Sequence, residues 1–263
     1  MGGAGRGGLV ILLPVLAALT GLAAGRWTRG LVVRHSVAEG EPLRRDCPHC
    51  GATLSAARCP GCSGRIGPPP LAVELVTALA LALLALRAVW AARSGAVPAG
   101  QPPGPLPEVV TAVELAAYGW LAVVAVALVF VDAAVHRLPD RLTLAAYLGT
   151  AALLTATAML GGRFDDLLGA GLGGLALAAF YLVLFLVNPA GMGLGDVKLA
   201  AALGTALGWL GWDALVAGAF LGFLAGGLYG VALMILRRAG RKSEIPFGPF
   251  MVVGAFAAIL TGL

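Results

Sequence analysis

Two aspartates stand where the flanking sequence is hydrocarbon. Asp132 closes the apolar run that ends Val129-Phe130-Val131-Asp132, and Asp196 lies in Gly191-Met192-Gly193-Leu194-Gly195-Asp196-Val197-Lys198, between two long apolar stretches. Ionisable groups at membrane depth are costly and by default mark a functional site. Two carboxylates at one depth are the least equipment for activating a water against a peptide carbonyl. One ionised carboxylate takes the water proton while a protonated partner polarises the carbonyl, which requires unequal proton affinities. Asp196 is expected at or just before a helix N-terminus, where free N–H groups favour the anion; Asp132 is expected at a helix C-terminus, which does not. Gly193 and Gly195 lack a Cβ, so the backbone can bend there and another chain can approach the carboxylate. Lys198 supplies the ammonium of the same loop. The plainer reading is a glycine loop with Asp196 as an ordinary N-cap.

The second constellation is Cys47-Pro48-His49-Cys50 followed by Cys59-Pro60-Gly61-Cys62. Two such knuckles supply four thiolates, the shell of a tetrahedral structural zinc. A redox pair or two disulfides is the alternative, disfavoured if the segment is cytoplasmic. Between Cys50 and Cys59 lie only eight residues, fewer than the roughly 15–20 usual for this pattern. The zinc would staple a segment too small to bury an adequate core. His49 is a substitute ligand that four cysteines do not need.

The elements that must hold these groups follow from composition. Hydrophobic residues make up 59% of the 263 and charged residues 12%, and mean hydropathy is +0.92. Soluble domains average about 25% charged residues, so the chain reads as an all-α polytopic membrane protein. Its pI near 9.4 reflects basic loops, and with 7% aromatics and no basic-aromatic interleaving, no nucleic-acid partner is expected. At roughly 20 apolar residues per span, eight spans are expected, at about 8–25, 71–92, 109–131, 141–160, 167–187, 197–211, 213–236 and 247–263. The organisation is then a first transmembrane helix, 1–25, a cytoplasmic four-cysteine loop, 26–70, and a transmembrane core, 71–263.

Lysine and arginine orient the spans. Residues 26–70 carry Arg26, Arg29, Arg34, Arg44, Arg45, Arg58 and Arg65; the other alternate loops carry Arg137, Arg141, Lys198, Arg237, Arg238, Arg241 and Lys242. The opposite side has Arg6, Arg87, Arg93 and Arg163. The positive-inside bias puts both termini outside and the cysteine loop, Asp132 and Asp196 on the cytoplasmic side. Arg26 and its neighbours directly follow the first apolar run, which suits a retained span rather than a cleaved signal peptide. Asp140 is expected to N-cap the fourth span, and Asp165, Asp166 and Asp213 look like caps of outer helix starts. Glu74 faces a helix dipole in the first turn of the second span. His136 has no partner histidine nearby. The prolines of 94–108 form an outer connector without chemistry.

The chain resembles the type IV prepilin peptidases, GxGD intramembrane aspartyl proteases of the bacterial inner membrane. The resemblance rests on Gly193-Leu194-Gly195-Asp196-Val197-Lys198 for the family's GxGDxK and on Asp132 followed by Leu138-Pro139-Asp140. It rests also on Glu244-Ile245-Pro246-Phe247-Gly248-Pro249, on Val73-Glu74-Leu75-Val76-Thr77 and on the two CxxC pairs. GxGD alone is shared with presenilin-like proteases; all five motifs in this order are specific. The resemblance implies that Asp132 and Asp196 are catalytic and that the leader of prepilins or pseudopilins is cut after a glycine. Many relatives then methylate the new N-terminus with S-adenosylmethionine, a role associated with the cysteine-bearing loop. Here that loop lacks the family's longer insert between the cysteine pairs, and no glycine-rich strand-to-helix turn for a nucleotide-like cofactor is present in 26–70. Prepilins and membrane lipids are the implied partners, and oligomeric state is left open. Two rival classes share some features. A transporter also places Asp and Lys on helices broken at glycines, but no second copy of Gly191–Lys198 exists. A zinc-knuckle membrane scaffold leaves Asp132 and Asp196 without a role.

Overall fold

A computed structural model describes residues 3–38, 40–54, 59, 61–62, 64, 66–69, 71–94, 107–189, 191–236 and 246–262. Among these the secondary structure is helical: α1 Gly3–His35, α2 Ala72–Ser94, α3 Pro107–Val135, α4 Asp140–Gly161, α5 Phe164–Val187, α6 Leu194–Leu210, α7 Trp212–Ile235 and α8 Gly248–Thr261. One isolated antiparallel bridge, Asp46–Thr53, is the sole pairing of extended backbone among the described residues. Arg58, Arg65, Arg237, Arg238, Arg241, Lys242, Glu244, Ile245, Pro60 and Pro70, with the connector prolines Pro98, Pro102, Pro103 and Pro105, lie outside the described residues.

Each expected span falls on one helix. α2, α3, α4, α5 and α7 are long and apolar enough to cross a membrane, and α8 is a shorter apolar helix. Large apolar side chains stay exposed along these faces, among them Leu79, Leu175, Val187, Val216 and Phe220. Such a continuous apolar surface suits lipid rather than water. The chain is a multi-pass membrane protein.

α3 and α6 form the centre. Leu121, Val124, Ala125, Leu128 and Val131 of α3 and Leu199, Ala200, Ala202, Leu203 and Ala206 of α6 are fully buried. Each of these two helices carries one aspartate of the pair. Small residues let the helices close on one another, as packing in lipid demands. A Cβ at Gly173 of α5 would fall 2.7 Å from the Gly204 carbonyl oxygen of α6, and one at Gly25 of α1 would fall 2.5 Å from Glu74 Cα of α2. At the end of α3 away from Asp132, Arg163 pairs with Glu114 at 2.6 Å and with Asp166 at 2.6 Å. Trp209 Nε1 donates to Glu114 Oε1 at 3.0 Å, and Arg163 stacks 4.7 Å over the Trp209 ring. This clasp ties α3, the start of α5 and the end of α6 together.

Three expectations are corrected. α1 does not end near residue 25 but runs to His35, because Arg26, Arg29 and Arg34 are good helix formers and Arg29 has a partner on α2. The cysteine segment therefore begins after His35, ten residues beyond the expected boundary. Asp140, Asp165, Asp166 and Asp213 do not cap: α4, α5 and α7 are led by Pro139, Arg163 and Gly211, with no side-chain cap bond. The acids sit inside the first turns, where they meet the helix dipole. Glu74 is more than a first-turn acid: it is buried and pairs with Arg29 at 2.7 Å.

Candidate active site

Asp132 lies one turn before the end of α3 and is 4% exposed. The helix stops at His136, whose φ of 52° is left-handed and whose N–H closes on the Asp132 carbonyl at 2.8 Å. Residues 137–139 then cross to α4, where the Pro139 carbonyl accepts the N–H groups of Leu142 and Thr143. The Asp132 carboxylate is held from a distant part of the chain: Gly248 N–H, the first residue of α8, donates to Oδ2 at 3.1 Å. A Cβ at Gly248 would fall 2.7 Å from that oxygen, so only glycine lets the helix end approach the acid.

Asp196 is the third residue of α6 and is 8% exposed. Its Oδ2 reaches back to accept the Gly193 N–H at 2.9 Å, and its own N–H donates to the Gly193 carbonyl at 3.1 Å. It is thus inside the first turn rather than before it, with Gly193 at the N-cap. The two carboxylates are close enough that the charge of Asp196 acts on Asp132, as does that of His136. Asp196 lies in the first turn of α6 and Asp132 in the last turn of α3, as expected, but both carboxylates accept an N–H from a helix N-terminus.

Leu138 is the spacer between the two half-sites. A Cβ at Gly195 would fall 2.8 Å from Leu138 Cβ, and one at Gly248 would fall 3.4 Å from Leu138 Cδ2. Gly195 therefore faces the α3–α4 loop, whereas a Cβ at Gly193 would meet nothing nearer than Asp196 Oδ2 at 3.7 Å. Of the two glycines, Gly193 has the open face. Lys198 points to neither carboxylate of the pair; it binds Asp140 at 2.5 Å across an exposed surface. Gly248 and Leu138 escaped the sequence reading as site residues. Gly248 lies in the Glu244–Pro249 motif, and its proximity to Asp132 was the missing fact.

The cysteine module sits at the same end of the bundle. Arg137 Nη1 donates to the Val37 carbonyl at 3.4 Å, joining the α3–α4 loop to the chain just past α1. Cys47, Cys50, Cys59 and Cys62 are free thiols, and their sulfurs all lie within 4.8 Å of one another. Cys47–Cys62 Sγ atoms are 3.7 Å apart, the edge of a tetrahedron with metal–sulfur bonds of about 2.3 Å. His49 N–H donates to Cys47 Sγ at 3.4 Å and Gly61 N–H to Cys59 Sγ at 3.3 Å, one matching bond in each knuckle. The Cys62 backbone N–H lowers Cys59 to about 6. Against the Ala52 amide, which acts to lower it, the Cys59 thiol helps push Cys50 up to about 12. Four sulfurs this close do not all ionise without a cation, and the donor set fits a metal. Cys47, Cys59, Val33 and Ile66 form a small buried cluster beneath the knuckles.

A profile of the type IV leader peptidase family matches residues 119–231, a stretch that includes both aspartates. The "Prepilin leader peptidase/N-methyltransferase" of Aeromonas hydrophila is 33% identical over 240 residues, covering 83% of this chain and 72% of the relative. The chain belongs to the type IV leader peptidase family. It is a protease of that family. Proteins of the same printed name from Pseudomonas aeruginosa, 30% identical, and Burkholderia pseudomallei, 33% identical, cover 82% and 83% of the chain and are themselves covered over 71% and 67%. No solved structure matches the chain.

Proposed function

We propose that Asp132 and Asp196 are the catalytic pair of a peptidase that removes the leader of type IV prepilins or pseudopilins. The observation that carries this is the convergence of two buried carboxylates, each on a helix-terminal N–H, within one another's field. The ionised carboxylate of the pair takes a proton from water, and the water oxygen adds to the scissile carbonyl carbon. The protonated partner hydrogen-bonds the carbonyl oxygen as its charge develops. Collapse of the tetrahedral species breaks the C–N bond, and the leaving amine takes up the proton.

All eight helices span the bacterial inner membrane in this reading, with both termini outside. The site faces the cytoplasm, on the side of most lysine and arginine residues. Gly193, Gly195 and Lys198 form the active-site loop, Lys198 by anchoring it to Asp140. The domains are the first helix, the four-cysteine segment and the transmembrane core from 71 on. The four cysteines hold one structural zinc that folds their segment and takes no part in hydrolysis. No step is assigned to S-adenosylmethionine. The deciding experiment incubates purified Asp132→Asn and Asp196→Asn variants with a leader-bearing prepilin. Each abolishes cleavage at unchanged expression and thermal midpoint. Cleavage by either variant at the wild-type rate overturns the pair.

A further inference from the structure

We propose that Leu138 is a positioning residue that sets the separation of the Asp132 and Asp196 carboxylates by filling the gap between the starts of α6 and α8. Each of these helices presents a glycine to that gap. A Cβ at Gly195, the residue before Asp196, would fall 2.8 Å from Leu138 Cβ and 3.3 Å from the Leu138 carbonyl oxygen. On the other side, a Cβ at Gly248 would fall 3.4 Å from Leu138 Cδ2 and 2.7 Å from Asp132 Oδ2. The Gly248 N–H also holds that carboxylate oxygen, at 3.1 Å. One leucine thus reaches from the backbone that carries Asp196 to the backbone that grips Asp132.

The local chain holds Leu138 firmly enough to act as a gauge. Pro139 follows it, which biases Leu138 toward extended backbone, and the Pro139 carbonyl is tied to the N–H groups of Leu142 and Thr143. On the α3 side the His136 N–H closes on the Asp132 carbonyl at 2.8 Å, so loop and acid move as one. Leu138 and Pro139 are both buried. The leucine side chain is apolar, so it offers neither acid a hydrogen bond. At each end it meets a glycine, which has no side chain of its own to give way. Two carboxylates that share a proton titrate further apart the closer they stand. A spacer of fixed length therefore sets how unevenly the pair holds its proton, and the proposed hydrolysis depends on that inequality.

This inference rests on the assignment of Asp132 and Asp196, so the test keeps the two apart. Full-length wild type, Leu138→Ala, Leu138→Met, Leu154→Ala and Asp196→Asn are purified in parallel. Each is assayed on one leader-bearing peptide for kcat and KM per folded molecule across pH, and for thermal midpoint. Leu154 is the packing control: it is fully buried on α4, about 21 Å along that helix from Asp140. Leu138→Ala is expected to lower kcat by about 10²-fold, the penalty of misplacing a reacting group by about 1 Å, with KM unchanged. The acid and alkaline limbs of its pH profile should move apart as the carboxylates close on one another. Leu138→Met, of similar volume, restores both readouts. Leu154→Ala lowers the midpoint and leaves the limbs in place. The other titratable groups facing the pair are His136 of the α3–α4 loop and the Tyr181 phenol of α5. Lys198 is taken by Asp140 and Arg137 by the Val37 carbonyl. None of these side chains is altered, so the limb spacing reports the two acids. Wild-type kcat and limb spacing in Leu138→Ala, with Asp196→Asn inactive, overturn the spacer and leave the acid pair standing. An equal limb shift in Leu154→Ala overturns it as well, because general loosening would then be the cause. Wild-type cleavage by Asp196→Asn overturns the pair, and the spacer with it.

Discussion

Gly248 and Gly195 each exclude a methyl group for a different reason, and their variants separate catalysis from packing. At Gly248 the added carbon would meet the Asp132 carboxylate at 2.7 Å. Gly248→Ala should therefore displace the acid and cost about 10²-fold in cleavage, the penalty of misplacing a reacting group by about 1 Å. The overpacking cost to stability is about 1–3 kcal/mol. At Gly195 the carbon would meet Leu138, so Gly195→Val should lose thermal stability and cleavage in step. Loss of activity at an unchanged midpoint would instead give Gly195 a face toward substrate. Asp140 makes the opposite prediction. Its partner is Lys198, and the two side chains are 74% and 48% exposed, where solvent screening reduces such pairs to well under about 1 kcal/mol. Asp140→Asn should retain most activity and its midpoint, and a large loss in a cleavage assay would place Asp140 in the site.

The helices hold the aspartates through contacts far from the reaction. Asp132 and Glu114 lie on one helix, about 27 Å apart at 1.5 Å per residue, and Glu114 anchors the far end through Arg163 and Trp209. Arg163 is 6% exposed and Glu114 19% as side chains. Removing one partner of a buried pair costs about 3–5 kcal/mol, because the other charge is left behind. Glu114→Ala should lower the thermal midpoint well beyond the effect of Asp140→Asn, with kcat per folded molecule retained. α5 and α6 depend on close approach: a Cβ at Gly204 would fall 2.6 Å from the Gly173 carbonyl oxygen. Gly204→Leu should separate the helices and lower activity and detergent stability together, read from cleavage and unfolding on the same preparation.

At the scale of the whole molecule, the cysteine module and the acid pair share one end of the bundle but divide the work. In the proposed reading a metal held by the four cysteines orders a segment whose own core is four residues, Val33, Cys47, Cys59 and Ile66. Changing Cys47 and Cys59 to serine should remove about one zinc per chain, the complement of a single four-cysteine site, and expose 36–69 to limited proteolysis. Leader cleavage should persist, because the proposed chemistry uses carboxylates and no metal. Immediate loss of hydrolysis on removing zinc from an otherwise intact fold would point to a metalloprotease. The hydrogen bond from Arg137 to the Val37 carbonyl, which joins the module to the α3–α4 loop, is long at 3.4 Å and contributes little on its own.

Composition and apolar run length determined the all-α membrane class and the eight helices, and the two aspartates and four cysteines were legible as candidates from their position and spacing in the sequence. Those features are local: a span needs only about twenty apolar neighbours, and a CxxC knuckle closes within four residues. The identity of each residue's partner was not local. Gly248 meets Asp132 across 116 positions, Lys198 meets Asp140 across 58 and Glu74 meets Arg29 across 45. A first-turn acid reads the same whether or not a distant cation claims it, so Asp140 read as a cap and the partners of Glu74 and Asp140 were not legible. The length of α1 was hidden because arginines that follow an apolar run look like the end of a span, yet they propagate a helix well. Asp132 does lie at the end of its own helix, but its carboxylate is set by the beginning of another, and only tertiary packing brings α8 to it.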